Sequence, residues 1–252
     1  MKLKELDRYF RELLEIDALD GADISRNGVQ VENSADITKI AFAVDACLET
    51  FKRTKEVGAQ MLFVHHGIFW GHEQTITGSH YQRIKLLLDN DIALYAVHLP
   101  LDIHPELGNN VSLARKAGLC DLKPFGKFRG IDVGVKGTFK NEVSVSQVID
   151  AIGFDKNELL AVLPFGKDKN MTGAIITGGG ESDVADAIEH DVDLYITGDA
   201  AHVVYHTCLE NRINMISAGH YRTEVYGVQN MAAKVRADLG VETVFIDVPT
   251  GL

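Results

Sequence analysis

Residues 61–67 read MLFVHHG, an apolar run of strand length that ends in two imidazoles and a glycine. The runs at 40–44 and 92–97 are equally apolar, and the segments 48–57 and 81–88 between the three runs show helical spacing. Strands that alternate with helices in this way pair in parallel, because each connection crosses one face of the sheet. This order predicts a largely parallel sheet with helices on its faces.

The same alternation returns in the last third of the chain, with short apolar runs at 174–177, 194–197, 213–217 and 243–248. The residues between the two alternating parts have a different pattern, with fewer helical repeats and several glycines. We therefore predict an α/β fold of two similar lobes with mostly parallel sheets. The predicted division is a first lobe at 1–124, a connecting segment at 125–170 and a second lobe at 171–252.

The formal net charge is -11, with 36 acidic against 25 basic residues. Such a surface repels nucleic-acid phosphates and anionic lipid, so broad nucleic-acid binding is not expected, although a local basic pocket for a small anion stays open. The chain has no apolar run long enough to cross a bilayer, and its first residues lack the apolar core of a signal peptide. Three cysteines without a CxxC pair are typical of reduced thiols. We expect a cytoplasmic protein.

Polar side chains collect where the predicted strands end. Ligands of open parallel sheets bind beyond the carboxyl ends of the strands. Imidazoles suit zinc and iron, and carboxylates add negative charge and can bridge two ions. We predict a metal site at these strand ends, and its ligands are His65, His66, Asp102, His220 and Glu224.

The spacing of these ligands sets geometric conditions. His65 and His66 are adjacent, so a regular strand would point them to opposite faces. They share one ion only if the strand breaks at Gly67; otherwise each ring takes a different ion. His220 and Glu224 are four residues apart, which places both on one face if the chain is helical there.

Several other residues are weaker candidates for the metal site, because each also has a structural interpretation. His98 is a ligand, a partner that supports a ligand, or a packed core residue. Asp45 either orients a ligand or caps the next helix, and Asp199 is interpreted as a helix cap. His202 and His206 form an HxxxH pair on a predicted helix, a spacing that can bind zinc but has no third ligand nearby in sequence.

A glycine-rich turn, TGGG at 177–180, follows one strand and precedes a helix. The backbone amides of Gly178, Gly179 and Gly180, together with Arg222, are a candidate anion site. The alternative is a tight turn that needs unusual backbone angles. The sequence has no GxSxG motif and no P-loop.

Four segments resemble a known family. They are NGVQV at 27–31, HHGIFW at 65–70, HLPLD at 98–102 with GNN at 108–110, and GHYRTE at 219–224. In this order over nearly the whole chain, they are similar to the NGG-interacting-factor-three-like family, whose members are described as GTP cyclohydrolase type-two homologues or dinuclear metal-centre proteins.

The resemblance implies two α/β lobes with a dinuclear site in the cleft between them. It also implies a toroidal homohexamer, and the same five ligands. The expected cofactors are two divalent ions for each chain, with zinc or iron favoured.

Two classes of function follow from these observations. The first is a dinuclear metal-dependent hydrolase that acts on a small molecule such as the nucleotide GTP. His98 or Tyr221 would then relay protons, and Arg222 with the glycine turn would hold phosphate. The second is a metal-binding regulatory or metal-handling protein without catalysis.

Overall fold

The computed structural model describes residues 1–19 and 21–252, which form two compact units. The first unit comprises Met1–Leu101 with Gly227–Val248, and the second comprises Asp102–Tyr226 with Pro249–Leu252. Two of the divisions fall inside helices, namely α4 (Leu99–Ile103) and α9 (His220–Leu239). Among the described residues, no helix is both long and apolar enough to cross a bilayer.

The first unit is a five-stranded sheet with helices packed against it. Its strands are β1 (Gly28–Val31), β2 (Lys39–Asp45), β3 (Met61–His66), β4 (Ala93–Ala96) and β11 (Glu242–Phe245). Its helices are α1 (Leu3–Leu14), α2 (Leu48–Glu56) and α3 (Gly78–Asp89). The strand order is β1-β4-β3-β2-β11, and all neighbours are parallel except β1 and β4. The prediction of a largely parallel sheet is confirmed here.

Aromatic residues in register form one half of this unit's core. Phe42, Phe63 and Tyr95 stand side by side on β2, β3 and β4, and Phe10 of α1 packs on them with centroids 5.1 Å from Phe63 and 4.9 Å from Tyr95. The phenol of Tyr95 donates to Asp7 Oδ1 at 3.0 Å. Each fully buried aromatic of this kind contributes about 1.5–3 kcal/mol. The opposite face packs small and branched residues against α2 and α3.

The second unit is a six-stranded sheet. Its strands are β5 (Leu119–Phe128), β6 (Ile131–Val143), β7 (Ala161–Pro164), β8 (Asn170–Ile176), β9 (Leu194–Thr197) and β10 (Asn214–Ser217). Its helices are α5 (Asn109–Ala117), α6 (Val145–Ile152), α7 (Val184–Glu189) and α8 (His202–Asn211). The order is β5-β6-β8-β9-β10-β7.

The prediction of a mostly parallel sheet is wrong for this unit. Only β8, β9 and β10 are parallel neighbours, whereas β5 with β6, β6 with β8 and β7 with β10 are antiparallel. The cause is local for the first pair. Arg129 and Gly130 both have positive φ, 49° and 88°, and form a two-residue hairpin turn that forces the strands to run in opposite directions.

The compact units also divide the chain differently from the expected 1–124, 125–170 and 171–252. Residues 125–170 contain β6, α6 and β7. Hydrogen bonds join β6 to β8 and β7 to β10. Residues 227–248 return to the first unit, because β11 pairs with β2. These are pairings between distant segments, which hydrophobic spacing does not reveal.

Each unit contains the same βαβαβ arrangement, β2-α2-β3-α3-β4 in the first and β8-α7-β9-α8-β10 in the second. The four helices of these two arrangements end in the same way. Each is followed by a residue with positive φ and then by a buried apolar residue. The amide of that apolar residue donates to the carbonyl five positions earlier. The positive-φ residues are Gly58, Asp91, Asp191 and Arg212. The bonds run from Ala59 to Thr54, Ile92 to Leu87, Val192 to Ala187 and Ile213 to Cys208. The two halves are thus structural repeats without evident residue identity.

Candidate metal centre

The carboxyl end of β3 brings two imidazoles together. The rings of His65 and His66 have centroids 4.6 Å apart. The pairing of β3 with β4 ends at Val64 and Ala96, whereas β2 still pairs with β3 at Asp45 and His66. The adjacent histidines therefore share one region, as expected for a strand that stops pairing before Gly67.

His98, which follows β4, completes this group. Its ring lies 5.2 Å from that of His65 and 5.8 Å from that of His66. One ring nitrogen from each of the three lies within 4.8 Å of the others. We call His65, His66 and His98 the imidazole set. Ligands about 2 Å from a single ion lie at most about 4 Å apart, so small movements suffice to close this set on an ion.

In the imidazole set, each Nδ1 already has an acceptor. His65 Nδ1 donates to the carbonyl of Val97 at 2.9 Å, His66 Nδ1 to Asp45 at 2.8 Å, and His98 Nδ1 to Asp23 at 2.9 Å. A carbonyl cannot donate, so the proton of neutral His65 is on Nδ1 and its Nε2 carries a lone pair. Such bonds set the tautomer and raise the basicity of the other nitrogen. Asp45 thus orients a predicted ligand, and the N-cap residue of α2 is Cys47 instead.

Asp23 is a residue that the sequence interpretation missed. Its buried carboxylate accepts from His98 and from the amides of Ser25 and Leu99, and Asn27 Nδ2 donates to it at 2.8 Å. Burial alone would raise its pKa, but these hydrogen bonds and the His98 ring outweigh burial, and the pKa is lowered. The only sequence signal was the Asn27-Gly28 turn, whose Asn27 also accepts from the amide of His98.

In the second unit, the first turn of α9 presents His220 and Glu224 on one face, with Nε2 and Oε2 3.2 Å apart. Asp199, which follows β9, faces Nδ1 of His220 at 3.1 Å. Burial opposes a charge on this ring, but Glu224 and Asp199 outweigh it and raise the pKa of His220 to about 9. Asp199 therefore orients a predicted ligand, and the N-cap residue of α8 is Ala201.

Asp102 lies in the same unit and is buried. Asn109 Nδ2 donates to its Oδ1 at 2.9 Å, and the hydroxyl of Thr177 lies 3.4 Å from the same oxygen. A carboxylate oxygen of Asp102 and one of Glu224 lie within 4.8 Å of each other. We call Asp102, His220 and Glu224 the carboxylate set.

The glycine turn packs directly against the carboxylate set. Gly178 has φ +66°, and a Cβ built on it would lie 2.0 Å from Oε1 of Glu224. The amide of Gly178 donates to Thr223 Oγ1 at 3.0 Å and that of Gly180 to Thr197 Oγ1 at 3.2 Å. An anion would have to replace these bonds. The geometry agrees with the tight-turn alternative, and the anion site that includes Gly179 stays a prediction.

The remaining candidates of the second unit have partners of their own. Arg222 pairs with Glu158 at 3.0 Å. Tyr221 is buried, and its amide donates to the carbonyl of Leu252. His202 and His206 are exposed on α8 with ring centroids 6.4 Å apart. Within the described part of the chain, no third His, Cys, Asp or Glu joins this pair in a ligand group.

The donor chemistry fits divalent metal ions. The imidazole set offers three nitrogens whose opposite ring positions are held by oxygen acceptors, the arrangement usual for metal-bound histidine. The carboxylate set offers the negative charge that such ions need. The bound proton of His220 is one that an ion would displace, as metal binding generally requires.

Relatives match this chain along its whole length. The family model described as Duf34/NIF3 (NGG1p interacting factor 3) matches residues 1–251. A protein of Treponema pallidum named "GTP cyclohydrolase 1 type 2 homolog" is 41% identical, and one of Archaeoglobus fulgidus with the same name is 40% identical; each comparison covers all of both chains. The crystal structure of TTHA1606 from Thermus thermophilus has a TM-score of 0.89 at 38% identity, with both chains fully covered. The chain is a member of the Duf34/NIF3 family.

Proposed function

We propose that the chain is a cytoplasmic hydrolase that depends on two divalent metal ions. The observation that carries the proposal is that four imidazoles, His65, His66, His98 and His220, each have an oxygen acceptor at Nδ1. One buried histidine held in this way is ordinary core packing. Four histidines held at Nδ1 near strand ends, one buried and three partly buried, support a metal centre together with the carboxylates of Asp102 and Glu224.

The proposed ligands are those of the sequence prediction: His65, His66, Asp102, His220 and Glu224. Five ligands exceed what one tetrahedral zinc needs, which supports two ions. Zinc and iron both suit this mixture of imidazole and carboxylate. Two bound ions would supply a water of lowered pKa and a clamp for a developing oxyanion.

The chain's own residues would hold and move protons around that water. His98 keeps the proton on Nδ1 against Asp23 and presents Nε2 as a base, so it is the proposed proton carrier. Asp102 and Glu224 are the proposed bridging carboxylates. Tyr221 is a second candidate for proton relay and stays a prediction.

The proposed substrate is a nucleotide such as GTP, with water added at C8 of the purine. The support is that relatives sharing about 40% of their residues with this chain bear the name GTP cyclohydrolase 1 type 2 homolog. Arg222 and the turn at Gly178 are the residues proposed earlier for phosphate, and both are engaged by neighbouring groups. That engagement favours the second candidate function, a metal-handling or regulatory protein without catalysis.

One experiment separates the two functions. The metal content of the purified protein is measured, and the metal-reconstituted chain is then tested against nucleotides, phosphoesters and amides. Two ions per chain with turnover supports the hydrolase. Two ions without turnover in any class supports metal handling, and a single ion that survives both His65→Ala and Glu224→Ala contradicts the dinuclear centre.

We also propose that the chain assembles as the toroidal homohexamer implied by the resemblance. Its support is three exposed apolar side chains on α8, where Val203 is 70% exposed and Tyr205 and Leu209 are each 44% exposed. Light scattering should give a mass near six times the 27.7 kDa chain. A monodisperse monomer at micromolar concentration would contradict this assembly.

A further inference from the structure

The only tryptophan of the chain lies beside the imidazole set. The Trp70 ring is half-buried and lies 5.1 Å from the His98 ring at 78°, and 5.9 Å from the His66 ring at 45°. A large aromatic side chain contributes most when it is fully covered, because it can bury about 150–250 Å². Trp70 is instead left partly open next to polar rings.

The position of Trp70 is set by the backbone. Its indole Nε1 donates to the carbonyl of Gly67 at 3.0 Å. Gly67 is in turn pressed against Gln30, whose amide nitrogen would lie 2.3 Å from a Cβ built on the glycine. The amide of Ile68 donates to Gln30 Oε1 at 2.7 Å. Gln30 of the NGVQV segment thus holds the turn that places the indole.

In this arrangement, the aromatic surface of the indole is the part that can contact a ligand. Its single polar group is satisfied by Gly67, so it has no further hydrogen bond to offer. What remains is the partly open aromatic surface beside three nitrogen donors. Fixed aromatic side chains of this kind bind planar rings by stacking. Stacking accepts different planar rings in the ligand, but it requires that the ligand has one.

We propose that Trp70 is the stacking platform for a planar heteroaromatic ring of the ligand that binds at the imidazole set. This inference rests on the proposed function only in that a small molecule binds beside the metal ions. It assigns a specificity role to Trp70, and a positioning role to Gln30, which acts through Gly67.

The first test uses the fluorescence of Trp70, since the chain contains no other tryptophan. The full-length, metal-loaded protein is titrated with guanosine, cytidine and ribose 5-phosphate. We expect saturable quenching by both nucleosides, stronger for the larger purine, and none by ribose 5-phosphate. Equal quenching by ribose 5-phosphate, or none by either nucleoside at millimolar concentration, overturns the proposal.

The second test uses calorimetry, which does not depend on the indole signal. Trp70→Leu should weaken guanosine binding about tenfold or more, whereas Trp70→Phe, which keeps a ring, should stay within about threefold. Tyr81→Leu is the matched control, because Tyr81 is an exposed aromatic of the same unit, 49% accessible on α3. It should leave guanosine affinity unchanged.

Metal content distinguishes failure of this inference from failure of the proposed function. All three variants should hold the same number of ions as the parent. If Trp70→Leu loses metal and Trp70→Phe does not, Trp70 packs the ligand rings and the platform role is wrong. If the parent itself holds no metal, the proposed function fails, and nucleoside quenching by the metal-free chain then judges the stacking role separately.

Discussion

The two βαβαβ repeats share their backbone plan and differ in what their strand ends carry. In the first unit, β3 ends in His65 and His66, and His98 follows β4. The acidic partners Asp45 and Asp23 accept from the rings of His66 and His98. In the second unit, the carboxylates of Asp102 and Glu224 are themselves the proposed ligands. The helices that precede these strands end in the same turn in both units. The backbone arrangement therefore does not depend on which side chains follow the strands.

The difference in ligand type has an electrostatic consequence. The imidazole set offers nitrogen lone pairs at Nε2 and depends on the tautomer that its hydrogen bonds impose. The carboxylate set attracts a cation directly by charge. We expect the carboxylate set to dominate affinity and the imidazole set to refine geometry.

Removal of a ligand should give the largest effect. Glu224→Ala takes a charged ligand from the carboxylate set, so the protein should lose at least one ion per chain. His65→Ala should also lose an ion, but with a smaller change in affinity for the ion that remains. Elemental analysis after dialysis counts the ions, and competition with a chelator measures the affinity of the ion that remains. If Glu224→Ala and His65→Ala lower the affinity equally, the proposed difference between the carboxylate set and the imidazole set is wrong.

Substitution of the acidic partners should give the next largest effect. Asp45→Asn and Asp199→Asn replace the charged acceptors of His66 and His220 by neutral amides, and such partners typically contribute about 10–100-fold to metal affinity. Asp150→Asn is the control, because Asp150 pairs with Lys156 on an exposed surface. Competition with a chelator measures affinity. If the partners behave like the control, their role is structural only.

Shortening one ligand should give a moderate effect. Glu224→Asp keeps the charge but reduces the reach by one methylene, and we expect metal binding to weaken at least about tenfold, or about 1.4 kcal/mol. The melting temperature of the metal-free protein should barely change. Titration and melting are run side by side. Normal metal binding with a much lower melting temperature would identify Glu224 as a structural residue.

A smaller effect concerns stability in acid. Asp193 is 7% exposed and accepts from Lys167 at 2.6 Å and from the amides of Met171 and Thr172. Burial would raise its pKa, but these donors outweigh burial and the pKa is lowered. Its stabilisation is therefore present above the unfolded pKa of about 3.9 and is lost as pH falls through the lower folded value.

Asp193→Asn should accordingly destabilise the protein by about 1–2 kcal/mol at neutral pH, and the difference should vanish once the pH lies below the folded pKa. Denaturant unfolding across this pH range measures it. Asp168→Asn, in an exposed position of the same unit, is the control. A difference that persists unchanged in acid would show that the charge of Asp193 is not the cause.

The smallest effect tests the repeated turns. Asp191→Gly relieves a positive φ of 52° and should stabilise by roughly 0.5 kcal/mol, since the gain in the folded state exceeds the entropy that glycine adds to the unfolded chain. Asp91→Gly should not, because the Asp91 carboxylate accepts from Ser34 and Ala35. Thermal melting compares the two. Equal gains would mean that the Asp91 contacts contribute nothing.

Much of the architecture was predictable because it depends on local spacing. The strand at 194–197 was predicted to the residue, and helix α2 was predicted to within one residue at its end. The sequence left open whether residues 220–224 are helical, because polar residues there obscure the apolar spacing, and the structure shows that α9 begins at His220. The hairpin of β5 and β6 was missed, because Pro124 and Gly126 interrupt the strand pattern.

By itself, the sequence determined the alternation of strands and helices and the residue types that follow each strand. Those depend on side-chain period and on the rule that parallel strands end at one edge. Only the tertiary structure decided that 227–248 returns to the first sheet, that the second sheet is mixed, and that Asp23 supports His98 from 75 positions away. Such contacts join segments far apart in the chain, and no local pattern encodes their partners.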